Sequence, residues 1–407
     1  MTYNTHTFKN GFRIIHFPSA SPVSYCGFGI HAGARDEKDE EFGLAHFVEH
    51  MLFKGTEKRK SWHILNCMEK VGGELNAFTT KESTFIYSIF MDPDFNRALG
   101  LLSDIIFHSR FPQHEIDKEV DVILDEINTY NDTPSELIYD EFENLLFSGH
   151  SLGHNILGEE HTLTKFTTES GLSFLKRFYV PANMIFFSMG QTKITKIIHA
   201  LEAYMDNELH TPAYCERTSP SSNAATQKKI SRNTHQTHIM IGGRSYNMFE
   251  YEKRLPLFLL NNLLGGPSMN SRLNVSLREK HGLVYTVEST ITPYTDTGLT
   301  SIYLGTSSKN AEKAIRLVHK ELDKLRNTKL TETQLSSLKK QVTGQLSIGT
   351  ENRESLFLNI GKAFLHHNRY ETLPEISHKI EKITAENLID TANEIFSPGN
   401  LSTLIFE

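Results

Sequence analysis

Three ionisable residues fall within five positions of the segment Ala45-His46-Phe47-Val48-Glu49-His50-Met51-Leu52. On a helix His46, Glu49 and His50 stand at i, i+3 and i+4 and share one face. Leu44, Phe47, Val48, Met51 and Leu52 cover the other side of the same turns. A helix this apolar is normally buried, and burying three polar groups is costly unless each finds a partner. One divalent metal ion satisfies all three together. Two neutral imidazoles one turn apart can reach Zn²⁺ at about 2.0–2.1 Å, and a neighbouring carboxylate can act as general base toward its water. The order is H-x-x-E-H, the inverse of the two-histidine zinc pattern H-E-x-x-H. A lone histidine on an apolar helix is ordinarily a satisfied core residue, so the metal reading turns on a third ligand.

Candidates for that ligand lie downstream. Ile116 to Ile127 has helical spacing, with Ile116, Val120, Ile123 and Ile127 forming an apolar stripe. Glu119 and Glu126 are seven residues apart, two turns, and lie on one line at the border of that stripe. A carboxylate there is costly unless it is paired or bound to metal. Alone, both glutamates would read as solvated edge charges. Beside a two-histidine helix they become ligand candidates.

The elements around these helices follow from local signals. Phe8 to Pro18 reads as a strand pair turning at Asn10-Gly11, and Val23 to Ile30 as a strand. Gly27-Phe28-Gly29-Ile30-His31-Ala32 formally matches the dinucleotide fingerprint, but a charged loop follows where that motif needs a helix. Ser61 to Val71 reads as an amphipathic helix closed by Gly72-Gly73, and Leu75 to Phe90 as strands with a turn at Lys81-Glu82. Helices are predicted at about 94–108, 113–130 and from Pro134 to Phe147, with a strand at Met184 to Met189. His150 and His154 are also four apart, but they sit in a glycine-rich segment with no helical face and are not read as a metal pair.

The chain's 407 residues are enough for two large domains, with 38% hydrophobic and 22% charged residues in a globular balance. A net charge of −7 argues against nucleic acid as a partner. No run approaches 18 apolar residues, so no membrane span is expected. Three cysteines without metal spacing (Cys26, Cys67, Cys215) and no apolar leader point to a reducing, cytoplasmic setting.

Residues 211–228 are polar and rich in proline and serine, and read as a linker between domains at 1–210 and 229–407. The second half looks like a worn copy of the first. Glu69-Lys70-Val71-Gly72 answers to Glu279-Lys280-His281-Gly282 at an offset of 210, and Glu82-Ser83-Thr84 to Glu288-Ser289-Thr290 at a smaller one. A strand at Thr237 to Gly242 precedes a helix at Arg254 to Leu264, which carries Leu-Leu-Asn-Asn-Leu-Leu where the first copy carries the ionisable residues.

His-Phe-Val-Glu-His-Met-Leu-Phe-Lys-Gly-Thr, followed by Glu119-(six)-Glu126, resembles the pitrilysin/insulinase family of zinc metallopeptidases, in the branch that includes mitochondrial processing peptidase and its bacterial relatives. Gly72-Gly73-Glu74-Leu75-Asn76-Ala77-Phe78-Thr79 is similar to the family's substrate-binding strand, and Arg278-(six)-Tyr285 to its Arg/Tyr pair. Gly149-His150-Ser151-Leu152-Gly153, Ile156-Leu157-Gly158 and Tyr179-Val180-Pro181-Ala182-Asn183 resemble later landmarks. The His50–Glu126 interval is one residue shorter than is common in the family, though the Glu119–Glu126 register is kept.

The resemblance implies an α+β fold of two homologous domains, each a mostly antiparallel sheet packed with helices on one face. It implies one Zn²⁺ per chain on His46, His50 and Glu126, with Glu49 as general base and Glu119 orienting the site from behind. Asn76, Ala77 and Phe78 would pair with a peptide substrate. Arg278 and Tyr285 would hold the scissile carbonyl, in a homodimer where they complete the partner's site. The implied activity is that of an endopeptidase acting on unfolded peptides in a closed chamber. A non-catalytic assembly subunit on the same scaffold is the rival; such relatives have lost metal residues that this chain keeps.

Overall fold

The computed structural model describes residues 2–204, 217–221, 224–232 and 234–407. The chain divides into two compact units that interleave in sequence. One comprises Met1–Ile127, His154–Glu216 and Gly349–Thr372; the other comprises Asn128–Gly153, Arg217–Ile348 and Leu373–Glu407.

Among the described residues the first unit is built on six strands: β1 (Asn4–Thr7), β2 (Arg13–Pro18), β3 (Val23–Ile30), β4 (Glu74–Thr79), β5 (Thr84–Met91) and β6 (Met184–Gly190), in the order β1-β2-β6-β3-β5-β4. All neighbours run antiparallel except β2 and β6. β4 pairs only with β5, which leaves its outer edge without a strand partner among the described residues. Gly27 and Gly29 lie inside β3. A Cβ on Gly27 would stand 2.7 Å from both the Ile86 carbonyl oxygen and the Tyr87 Cβ, so cross-strand packing, not phosphate binding, explains this glycine.

One face of this sheet carries the motif helix (Leu44–Met51) and helices Phe95–His108 and Gln113–Asn131. Phe12, Phe28, Ile86 and Phe186 of the sheet side join Leu44, Phe47, Val48 and Met51 in a single core. The opposite face is also covered. Helix Arg353–His367 lays Leu356, Phe357, Ile360 and Phe364 on Ile15, Tyr25, Phe85 and Phe187. The Phe357 and Phe187 rings stack with centroids 4.4 Å apart. Burying one such phenylalanine contributes about 1.5–3 kcal/mol.

Among the described residues the second unit has five strands: β7 (Gln227–Ile230), β8 (Thr237–Ser245), β9 (Val284–Pro293), β10 (Gly298–Thr306) and β11 (Ser402–Phe406), in the order β7-β11-β8-β10-β9. Its one parallel pair is β7–β11. Strand order and the position of the parallel pair repeat β2-β6-β3-β5-β4 of the first sheet. Leu257, Leu260 and Leu264 of helix Tyr251–Gly265 and Leu338 and Val342 of helix Glu332–Gly349 cover one face. Helix Pro134–Leu146 covers the other, through Leu137, Ile138 and Phe142 against Met240, Tyr303 and Leu404.

The expected α+β class of two sheet-and-helix domains is what the structure has, with one added layer. Each sheet receives a helix on its second face from the opposite half of the sequence. Two details of the sequence reading change. Residues 227 and 228, expected in the linker, open β7, while 211–216 and 222–223, like Cys215, lie outside the described residues. Glu82-Ser83-Thr84 and Glu288-Ser289-Thr290 are not equivalent. The first leads into the inner strand β5, the second lies within β9, whose counterpart is the edge strand β4. Among the described residues no helix is long and apolar enough to cross a membrane.

Candidate metal centre

The motif helix forms because its apolar residues have a core to enter. Leu44, Ala45, Phe47, Val48 and Met51 are all buried. This leaves His46, Glu49 and His50 on the remaining face. Helix Gln113–Asn131 behaves likewise: Ile116, Val120 and Ile123 are buried, and Glu119 with them. The two helices bring their polar lines together. His46 Nε2 stands 3.9 Å from Glu126 Oε1, and His50 Nε2 stands 3.7 Å from Glu126 Oε2. One donor atom from each of the three residues lies within 4.8 Å of the others. Three donors of a tetrahedral ion with bonds of about 2.1 Å stand about 3.4 Å from one another. Two imidazoles and one carboxylate at these separations fit zinc, with a fourth position left for water.

The groups behind the donors complete the arrangement. His50 Nδ1 is 2.8 Å from Glu119 Oε1, and Glu119 also pairs with Lys54. A carboxylate at Nδ1 holds the proton on that nitrogen and leaves the Nε2 lone pair aimed at the metal position. Burial alone would push the Glu119 carboxyl up, but hydrogen bonds from His50 and Lys54 hold it below the ordinary glutamate range. At His50 burial pulls down, and the Glu119 bond, reinforced by the charges of Glu119, Glu126 and Glu49, carries the imidazole above its usual value. His46 is pulled down to about 3 by burial, with His50 adding to the effect. It is therefore a neutral imidazole, the form that ligates.

Glu49 projects from the same helix face and accepts a 2.6 Å hydrogen bond from Thr79 Oγ1, at the end of β4. Burial raises its carboxyl above the ordinary glutamate range, with Glu126 contributing, against the Thr79 bond and the His50 charge. A base with a raised pKa is suited to take up a proton and hold it.

The remaining candidates are placed as follows. Asn76, Ala77 and Phe78 lie on the edge strand β4, opposite Tyr87, Ile86 and Phe85 of β5. Ala77 packs toward the core beneath the motif helix, and Phe78 stacks on Phe85 on the other face. Arg278 lies in the last turn of a π-helix at Asn274–Glu279, with its guanidinium 5.8 Å from the ring centroid of Tyr285. Tyr285 is 82% exposed. Both belong to the second unit. His150 and His154 have separate partners, the Thr218 carbonyl and Glu37, and do not form a pair. The sequence reading did not assign the roles of Thr79 and Lys54. Each acts through a contact of the folded chain, 30 residues from Glu49 in one case and 65 from Glu119 in the other (119 − 54), and no local pattern marks them.

Comparison with known proteins bears on the family and the fold. Residues 15–160 match the profile described as insulinase (peptidase family M16), and residues 165–342 match that of the peptidase M16 inactive domain. A Bacillus subtilis protein named "uncharacterized zinc protease YmxG" is 32% identical over 403 residues, covering 98% of this chain and 97% of that protein. An uncharacterized zinc protease of Rickettsia felis is 32% identical, covering 99% and 97%. Among solved structures, a protease from Helicobacter pylori superposes with a TM-score of 0.90 at 19% identity, covering 100% of this chain and 99% of the other. A peptidase M16 inactive domain structure from Pseudomonas fluorescens gives 0.92 at 18%, covering 100% and 98%. At these identities the two structures speak to the fold alone.

One prediction follows from the Glu119–His50 contact. Glu119→Gln should weaken zinc binding by about 10- to 100-fold while leaving the fold intact. Competition with a chromophoric chelator measures this, and unchanged affinity would remove Glu119 from the centre.

Proposed function

Since the chain belongs to peptidase family M16, we propose that it is a zinc-dependent endopeptidase that hydrolyses unfolded peptides within a closed chamber. The observation that carries this reading is the convergence of His46, His50 and Glu126, with Glu49 on the same helix face. Zinc held by these three residues would polarise a water molecule and the scissile carbonyl. Glu49, oriented by Thr79, would serve as general base toward the attacking water and return the proton to the leaving amine. The outer edge of β4 at Asn76, Ala77 and Phe78, which no other described strand pairs, suits an extended peptide pairing as an added strand. Strand addition reads backbone extension more than side-chain sequence, so the substrate is an unfolded chain or an oligopeptide.

Arg278 and Tyr285 supply a cation and a phenol suited to holding the substrate carbonyl and its developing oxyanion. In this proposal the chain works as a homodimer, and each subunit's pair completes the other's zinc site. The rival, a non-catalytic scaffold subunit, leaves the retained Glu49 and its Thr79 hydrogen bond without a task.

Wild type and Glu49→Gln should both carry about one zinc per chain, and only the wild type should cleave an oligopeptide mixture. The loss in kcat should be at least about 10²-fold. Zinc in both chains with equal cleavage would exclude Glu49 as the base; zinc without cleavage in either favours the scaffold reading. For the dimer, Glu49→Gln and Tyr285→Phe chains, each inactive alone, should recover activity when mixed. No recovery despite demonstrated subunit exchange would contradict shared sites.

A further inference from the structure

The motif helix is capped from outside its own turn. Its N-cap is Gly43, which has no side chain to accept from the first-turn amides. Glu37 takes that task. Its Oε2 accepts from the Gly43 N–H at 2.9 Å and its Oε1 from the Ala45 N–H at 2.7 Å. The Glu37 side chain is fully buried. His154 Nε2 stands 3.0 Å from the same Oε2, with its ring stacked on Phe42 at 4.0 Å between centroids. Lys81 donates to the His154 carbonyl oxygen, which ties this loop to the turn after β4.

The backbone is shaped around these contacts. Gly43 and Gly158 both have positive φ, 94° and 78°. A Cβ on Gly43 would stand 2.8 Å from Gly158 Cα and from the Leu157 carbonyl oxygen. The segment carrying His154 therefore lies directly against the start of the metal helix. Burial lowers His154 to about 4, with Lys81 adding to the effect, so its imidazole is neutral at physiological pH. Burial pushes the Glu37 carboxyl up, against the two backbone amides and the Lys81 charge.

Capping bears on the metal through geometry. Ala45 immediately precedes His46, so the amide that Glu37 holds belongs to the turn that presents the first ligand. The helix is eight residues long, and a small tilt at its start would swing His46 away from Glu126 while the apolar face stayed buried. We infer that Glu37 and His154 are positioning residues of the metal centre: the carboxyl fixes the first turn of the motif helix and the imidazole fixes the carboxyl. This rests on the zinc reading proposed above.

The test is cobalt(II) titration of the metal-free full chain, read by visible absorption, with zinc affinity from chelator competition and far-UV circular dichroism as the control for folding. Glu37→Ala removes both acceptors. Glu37→Gln keeps one acceptor oxygen. His154→Phe keeps the stack on Phe42 and removes Nε2. Glu37→Ala should bind metal about tenfold more weakly or worse, with a changed cobalt spectrum, and the other two should fall between it and wild type. Wild-type affinity and spectrum in all three variants, even with a lower unfolding temperature, would reduce the cap to a purely structural role and overturn the inference alone. Should Glu37→Ala fail to fold, His154→Phe decides by the same criteria. No cobalt binding by the wild type would overturn the zinc reading and this inference with it.

Discussion

His46, His50 and Glu119 are set between apolar helices, with Glu49 and a more exposed Glu126 beside them, and everything near them answers to that cost. His46 and Glu119 are almost fully buried, in a helix pair whose apolar residues belong to the main core of the unit. Left alone, such groups would be desolvated without return. In the proposed reading a divalent ion on His46, His50 and Glu126, with Glu119 and Lys54 behind His50, would satisfy them in one step. The sheet, its strand order and the loops that lock the motif helix can be understood as the means of holding this one arrangement.

The second unit shows what the same scaffold looks like without that constraint. Its strand order repeats the first, and its helices Tyr251–Gly265 and Glu332–Gly349 take up the same face. There Asn262 Nδ2 donates to Gln345 Oε1 at 2.7 Å, and Gln341 and Gln345 reach Ser268. Neutral amides satisfy one another and need no ion. The repeated fold does not dictate the chemistry; the side chains on one helix pair do.

Much of this was legible in the sequence because it is local and periodic. The H-x-x-E-H spacing, the stripe of Ile116, Val120 and Ile123, and the seven-residue step from Glu119 to Glu126 each report a helix face. The structure sets those faces opposite each other. The strands at 13–18, 23–30, 84–91 and 184–190 announced themselves through β-branched and aromatic runs. What stayed hidden depends on distance along the chain. Nothing in Leu356, Phe357 and Ile360 says that they will cover a sheet formed more than 160 residues earlier (356 − 190 = 166). Glu37 reads as one charge in a loop until Gly43 leaves two amides for it, and His154 reads as half of a false pair with His150. The likeness of Glu82-Ser83-Thr84 to Glu288-Ser289-Thr290 misled because three residues carry no register, and register is what decides a strand's place in a sheet.

The most direct measurement is the position of the metal itself, by anomalous scattering at the zinc edge from crystals of the zinc-loaded protein. The account predicts one strong peak per chain within bonding distance of His46 Nε2, His50 Nε2 and a Glu126 carboxylate oxygen, with Glu119 on His50 Nδ1 and off the ion. A peak elsewhere, or none at these residues in a chain that carries zinc in solution, would contradict it.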